Sequence, residues 1–378
     1  MNACKTRREK IYDWMAEEDI ALVMFEDVEG RRDPSVRWLT GQPGDALLFL
    51  SAADRKSLLV PWDVNMANVY ADADAVAPYN DFGRMAAQAL ANAANHFHIK
   101  PRGRIEIPAA TPHPLFLKYQ KDADEYELVC RNDGIAEEVA RRRAVKDAEE
   151  LRVYKTLASI TNDIIERLEK NVTDGTLKTE SDAALFIEAE ARKQGCEGAS
   201  FETLAAGPSR SFGIHAFPAY TSAPFAGKGL SILDFGLKYQ GYASDVTMTF
   251  VQDAAPEQEA LLSLMKQAYD LALSMARPGV SARDIAIAVD DFYGENGKVL
   301  PHGLGHGVGL EIHEAPFLRS KSENPWILQS GMIFTIEPGL YDPALGGCRF
   351  ENDVLVTEIT ESGGAGAEEL THTRIVRM

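Results

Sequence analysis

Two stretches far apart in this chain repeat one pattern, and that pattern restricts the fold more than any other feature. The first runs Ser231-Ile-Leu-Asp234-Phe-Gly236, a turn at Gln240-Gly241, then Tyr242-Ala-Ser-Asp245-Val-Thr-Met-Thr-Phe250. The second runs Met332-Ile-Phe-Thr-Ile-Glu337-Pro-Gly339, a turn at Gly346-Gly347, then Cys348-Arg-Phe-Glu351-Asn-Asp-Val-Leu-Val356. β-Branched and aromatic residues broken by glycine predict paired strands in both. Side chains alternate faces along a strand, which groups Ile232 with Asp234 and Asp245 with Thr247 and Thr249. The same rule joins Thr335 to Glu337 and Arg349 to Glu351. Each hairpin therefore carries a carboxylate-x-Gly on one arm and a second carboxylate on the other. The pair reads as a diverged internal duplication with a site between its halves.

Asp-x-Gly alone is ordinarily a turn and Glu-Pro-Gly a loop. Four carboxylates on β segments are different, because an unpaired buried charge is costly. A bound cation answers that cost. The stretch His302-Gly-Leu-Gly-His306-Gly adds an imidazole, and Gly303, Gly305, Gly307 and Gly309 argue against a helix there. They permit close backbone approach instead. Asp234, Asp245, His306, Glu337 and Glu351 thus form a candidate ligand set for two divalent metal ions. Its oxygen-rich chemistry favours Mn, then Co or Fe, and is also compatible with Zn. A metal pair activates water and stabilises the oxyanion that follows attack, so the expected class is a hydrolase.

These segments, with Pro301-His-Gly-Leu-Gly-His306-Gly-Val-Gly-Leu-Glu-Ile-His313-Glu-Ala-Pro316 and Arg349-Phe-Glu351, resemble the pita-bread metallopeptidases. That group holds methionine aminopeptidase, aminopeptidase P, prolidase and the metal-free creatinases. The resemblance is strong over residues 135–378 and looser before them, where Val36-Arg-Trp38-Leu-Thr-Gly41 is similar to an N-terminal Tyr-Leu-Thr-Gly stretch. A strand ending at Gly41 is the plain reading of those residues. The resemblance implies an α+β architecture, with a pita-bread catalytic domain over 133–378 and an α/β creatinase-like domain over 1–132. It implies a peptide substrate, Xaa-Pro peptides foremost, and a homodimer.

The implied roles follow motif by motif. Asp245 and Glu351 bridge both ions, Asp234 serves one and His306 the other. Glu337 is both ligand and proton shuttle. His215, His302 and His313 complete the catalytic set, contacting the substrate or intermediate and donating to the oxyanion. Phe212, Ile214 and Phe217 beside His215 are expected as an apolar pocket wall, with core packing as the alternative. The full ligand set disfavours creatinase chemistry and a non-catalytic interaction protein. One departure keeps a further alternative open: where the family often has Asp-x-Thr-Arg-Thr, this chain has Asp245-Val-Thr-Met248-Thr249. A hydrolase of a non-peptide C–N bond, such as that of ectoine, would fit a lost arginine. Alternation nevertheless turns Met248 away from Asp245.

At 378 residues the chain exceeds one ordinary core. Lys plus Arg number 39 against 57 Asp plus Glu, a net charge of −18 that argues against nucleic acid. Cys4, Cys130, Cys196 and Cys348 form no close pair and read as free thiols of a reducing compartment. No apolar run suits a leader or membrane span, so a cytoplasmic location away from membranes is expected. Strands are predicted at Ile20–Phe25, Ala46–Leu50, Ser57–Val60 and Gly103–Ile107, and a helix over Met85–Ala94. A charged linker over Asn132–Glu149 leads to helices from Asp147, over Asp182–Gln194, over Pro256–Ala276 and from Ser281, a candidate N-cap. These helices are expected over one antiparallel sheet built from the two hairpins.

Overall fold

The computed structural model describes residues 3–83, 85–323, 325–358 and 366–378. It divides into two compact units, Met1–Arg142 and Arg143–Met378. The boundary expected after residue 132 falls earlier, in the turn that precedes the helix Ile135–Ala144.

The first unit is built on a six-stranded mixed sheet. Its spatial order is Ala75–Val76, Lys56–Pro61, Ala46–Ser51, Leu22–Asp27, Arg104–Glu106 and Glu127–Val129. Alternate residues Leu22 and Met24, Leu47 and Phe49, and Leu58 and Val60 pack on Leu90, Ala93 and Ala94 of the helix Ala86–His96. That spacing of two places one face of each strand in a shared core. Residues 36–41 depart from the strand expectation. They close the helix Pro34–Thr40, where Asp33 accepts a hydrogen bond from the Ser35 amide and Pro34 holds the first turn. Gly41, at φ +78°, ends it in the left-handed conformation glycine tolerates.

The second unit has two similar halves. In the first, the helices Ala148–Thr173 and Glu180–Lys193 cover the strands Gly229–Phe235 and Val246–Gln252. Leu157, Ile164, Leu168 and Ile187 share a core there with Leu233, Phe235, Met248 and Phe250. In the second half, the helices Pro256–Met275 and Ala282–Glu295 cover the strands Ile333–Ile336 and Asn352–Val356. Leu261, Met265, Ile285 and Val289 pack there on Phe334, Ile336, Val354 and Val356. The Ala148–Thr173 helix starts at a capping box between Asp147 and Glu150. Ser281 stands at the N-cap position of its helix, but its side chain makes no capping bond.

Both hairpins form, with Asp234 opposite Thr247 in one and Thr335 opposite Asp353 in the other. They do not merge into one antiparallel sheet. They belong to a four-stranded and a five-stranded sheet, and Val246–Gln252 also pairs in parallel with Ile375–Arg377. A bridge between Thr247 and Glu351 links the two, and the Thr249 hydroxyl donates to the Arg349 carbonyl at 2.8 Å. The second hairpin is interrupted at Pro338 and resumes as the ladder Gly339–Asp342 with Gly346–Arg349. Its turn is at residues 343–345, so Gly346 opens the return strand, at φ +87°, rather than forming the tip. The expected linker contains the helix Ile135–Ala144. Among the described residues no helix is long and apolar enough to cross a membrane.

Candidate metal centre

Strand alternation turns the same-face groups of both hairpins toward each other. Asp234, Asp245, His306, Glu337 and Glu351 line one cavity of about 400 Å³, together with His215, His302, His313, Ile214, Phe217 and Arg349. Every ligand and catalytic residue expected from the sequence is therefore on its wall, with Ile214 and Phe217 of the expected apolar wall but not Phe212. Met248 is not on it either: it is fully buried in the helix-covered core. The position where the family's arginine often stands is here a packing position facing away from the site.

The tightest cluster is Asp245, His306 and Glu351, whose ligand atoms lie within 4.8 Å of one another. The His306 Nε2 atom is 3.6 Å from Asp245 Oδ2 and 3.4 Å from Glu337 Oε1. Its Nδ1 lies 3.2 Å from the Gly307 carbonyl oxygen. A proton on Nδ1 satisfies that carbonyl and leaves the Nε2 lone pair facing the carboxylates. Burial, reinforced by His313, pushes His306 down to about 3, so the ring is neutral.

Close backbone packing sets this position. A Cβ at Gly305 would sit 2.0 Å from the Thr335 carbonyl oxygen, and one at Gly307 2.1 Å from that of Ala315. Only glycine allows the His306 strand to lie so near both neighbours.

The carboxylates crowd one another. Burial raises Asp245 and Glu351 well above the ordinary carboxylate range, and neighbouring acidic groups push further. Burial lifts Glu337 to about 8, Asp234 adding to the effect and Arg349 opposing it. Like charges out of water disfavour ionisation, and a divalent cation reverses that balance. Asp234 Oδ1 is buried without a hydrogen-bond partner, while its Oδ2 accepts from Arg349 Nη2 at 2.5 Å. An unsatisfied carboxylate oxygen, a neutral imidazole with a free lone pair and three crowded acids fit a divalent metal ion.

Around the ligands lies a supporting set that strand periodicity only partly revealed. The Thr247 hydroxyl donates to Glu351 Oε2 at 2.7 Å and accepts from Arg349 Nε at 3.0 Å. The Arg349 Nη1 group donates to the Tyr341 hydroxyl and the Ile214 carbonyl. His302 Nε2 lies 3.1 Å from the Tyr341 hydroxyl, and burial takes this histidine down to about 4. His313 packs edge-on against His306, ring centroids 4.2 Å apart, and is also lowered by burial. Tyr341 was missed in the sequence; its only signal is its place on the strand that follows Glu337-Pro-Gly. Phe201 and Glu202 also line the cavity and carried no motif, and Ile312 joins them from within the stretch before His313. Phe217 is 95 % exposed at the cavity and Phe212 is 44 % exposed off its wall, so neither is core packing.

Residues 152–358 match the model of metallopeptidase family M24, and residues 7–130 match the creatinase/prolidase N-terminal domain. The chain belongs to metallopeptidase family M24. It is 27 % identical to the Xaa-Pro dipeptidase of Pyrococcus horikoshii over 99 % of both chains. It is 34 % identical to the putative dipeptidase YkvY of Bacillus subtilis, over 57 % of this chain and 59 % of that relative. Among solved structures it is similar to the X-Pro aminopeptidase of Thermotoga maritima, with TM-score 0.83 and 25 % identity, covering 98 % of this chain and 99 % of that one. The creatinase-like two-domain architecture implied by the motifs is thus present. The chain is a metallohydrolase of the pita-bread family.

Proposed function

We propose that this chain hydrolyses the peptide bond that precedes proline, using two divalent metal ions, with Mn foremost. The observation that carries the reading is the cavity itself, where five ligand residues and three histidines converge in a chain similar end to end to an Xaa-Pro dipeptidase. Asp234, Asp245, His306, Glu337 and Glu351 hold the ions, which when bound supply Lewis acidity and lower the pKa of water.

The chain's own groups do the rest. Glu337 accepts the proton of the attacking water and returns it to the leaving nitrogen. His313, lowered by burial, keeps an N–H to donate toward the substrate carbonyl and the developing oxyanion, while His302, whose Nδ1–H faces the Gly303 carbonyl at 2.8 Å and whose Nε2 faces the Tyr341 hydroxyl, shapes the wall beside it. His215, with Ile214 and Phe217, orients the substrate from the facing wall. The reading extends to a homodimer, supported by the family resemblance, and to a cytoplasmic location, supported by the free thiols of Cys130, Cys196 and Cys348. The C–N hydrolase alternative rested on the lost arginine, and Met248 points into a core instead.

The test compares matched Xaa-Pro and Xaa-Ala peptides on Mn-loaded enzyme. Proline fixes the local backbone and removes the amide N–H, so a wall shaped for it discriminates in the transition state. The expected kcat/KM ratio is at least about tenfold, about 1.4 kcal/mol. Equal rates on the two series would remove proline from the assignment.

A further inference from the structure

His215 and Phe217 stand in residues 207–221, a segment with no helix or strand of its own. Its shape is therefore set by contacts from outside it: Arg349 Nη1 holds the Ile214 carbonyl and the Gly347 amide donates to Ser211 Oγ in its middle, and one carboxylate holds both of its ends. Glu180, the first residue of the Glu180–Lys193 helix, is fully buried. Its Oε1 accepts from the Gly207 amide at 2.8 Å and from Arg210 Nε at 3.1 Å. Its Oε2 accepts from the Thr221 amide at 2.8 Å and the Thr221 hydroxyl at 2.7 Å. Arg210 then reaches across the segment, its Nη2 donating to the Pro218 carbonyl at 2.5 Å. Between these anchors, Ile214, His215, Ala216, Phe217 and Ala219 line the cavity.

All four contacts to Glu180 are donated to it. Only an ionised carboxylate accepts four donors at once, and such charge-assisted bonds are the strong ones. A helix cap does not require this arrangement, because Thr179 already caps the helix through the Asp182 amide.

We infer that Glu180 is a positioning residue, which through Arg210 and Thr221 sets the His215 wall of the cavity in its working geometry. It touches no substrate. Glutamine in its place keeps the size but turns an NH₂ group against donors, loosening one end of the segment.

The activity arm of the test rests on the peptidase reading above; the spectroscopic arm does not. E180Q is compared with wild type in the full chain loaded with Mn, each with and without H215A. The expected kcat/KM loss from E180Q is about tenfold when His215 is present and under twofold when it is absent. Bound Mn is expected to stay at the wild-type level. In the metal-free protein, the His215 ring resonances, assigned by their absence in H215A, are expected to shift or broaden in E180Q while those of His96 and His98 stay put. R210M, which leaves the Gly207 and Thr221 contacts in place, is expected to move the same resonances and serves if E180Q does not fold. Equal losses in both backgrounds, or unmoved His215 resonances in the folded variants, would overturn the inference.

Discussion

Glu337 combines two tasks that a substitution can separate. As a ligand it needs oxygens, and as a shuttle it needs a base. E337Q keeps one oxygen and cannot take a proton, so kcat is expected to fall by about a hundredfold or more while bound metal falls far less. D245A, by contrast, removes a carboxylate from the tight cluster with His306 and Glu351, and metal content is expected to fall with activity. Metal analysis beside kcat separates the two, and wild-type turnover in E337Q would rule out the shuttle. Thr247 is a subtler case, since its hydroxyl orients Glu351 without being a ligand. T247V is expected to weaken metal affinity by about 10–100-fold with the fold intact, read by competitive chelator titration. At this scale much was legible, because alternation alone put Thr247, Thr249 and Arg349 on the faces of Asp245 and Glu351. Tyr341 was not, since nothing local marks a tyrosine whose value lies in joining an arginine on the facing strand to a histidine 39 positions away.

Among elements, the segment carrying His313 is tied by a buried ion cluster. Glu314 accepts from Lys146 Nζ at 2.9 Å and from Arg143, all three side chains being nearly inaccessible. Burial alone would raise Glu314, but Arg143 and Lys146 outweigh it and hold its pKa below the ordinary value. A depressed folded-state pKa contributes stability that is present above the unfolded value, about 4.3, and is lost as pH falls through the folded one. E314Q strands buried Lys146 and leaves Arg143 with Glu311 alone, 3.0 Å away, and a loss of about 3 kcal/mol is expected at pH 7 from denaturant unfolding. The gap to wild type is expected to narrow in acid as wild-type Glu314 protonates, and a gap constant down to pH 3 would contradict this account. No sequence signal exposed this pairing, whose partners are separated by some 170 positions. The helix Pro34–Thr40 is a different kind of miss. Its Asp-Pro start and glycine stop were in plain view, but Val36, Trp38 and Thr40 carry β propensity, which capping overrode. Ser281 shows the converse: a good capping residue in the right place whose hydroxyl makes no capping bond.

Across the whole molecule, the repeated hairpin pattern predicted a duplicated second unit with the site between its halves; the structure adds that each helix pair covers its own hairpin, and the polar faces of both hairpins meet at the cavity. The periodicities that bury Leu233 and Phe334 leave Asp234 and Thr335 on the opposite faces, so core and site come from one alternation. The expectation of a single sheet fails at the junction, where the hairpins meet through the isolated bridge of Thr247 with Glu351, and Pro338 breaks the second hairpin's own ladder besides. The central claim is that this convergence of acids exists to hold metal for hydrolysis. Thorough chelation followed by titration with Mn tests it most directly, with peptide turnover and bound metal measured at each step. The account predicts no turnover in the metal-free protein and full recovery as two equivalents bind per chain. Undiminished hydrolysis by protein shown to contain no metal would contradict it.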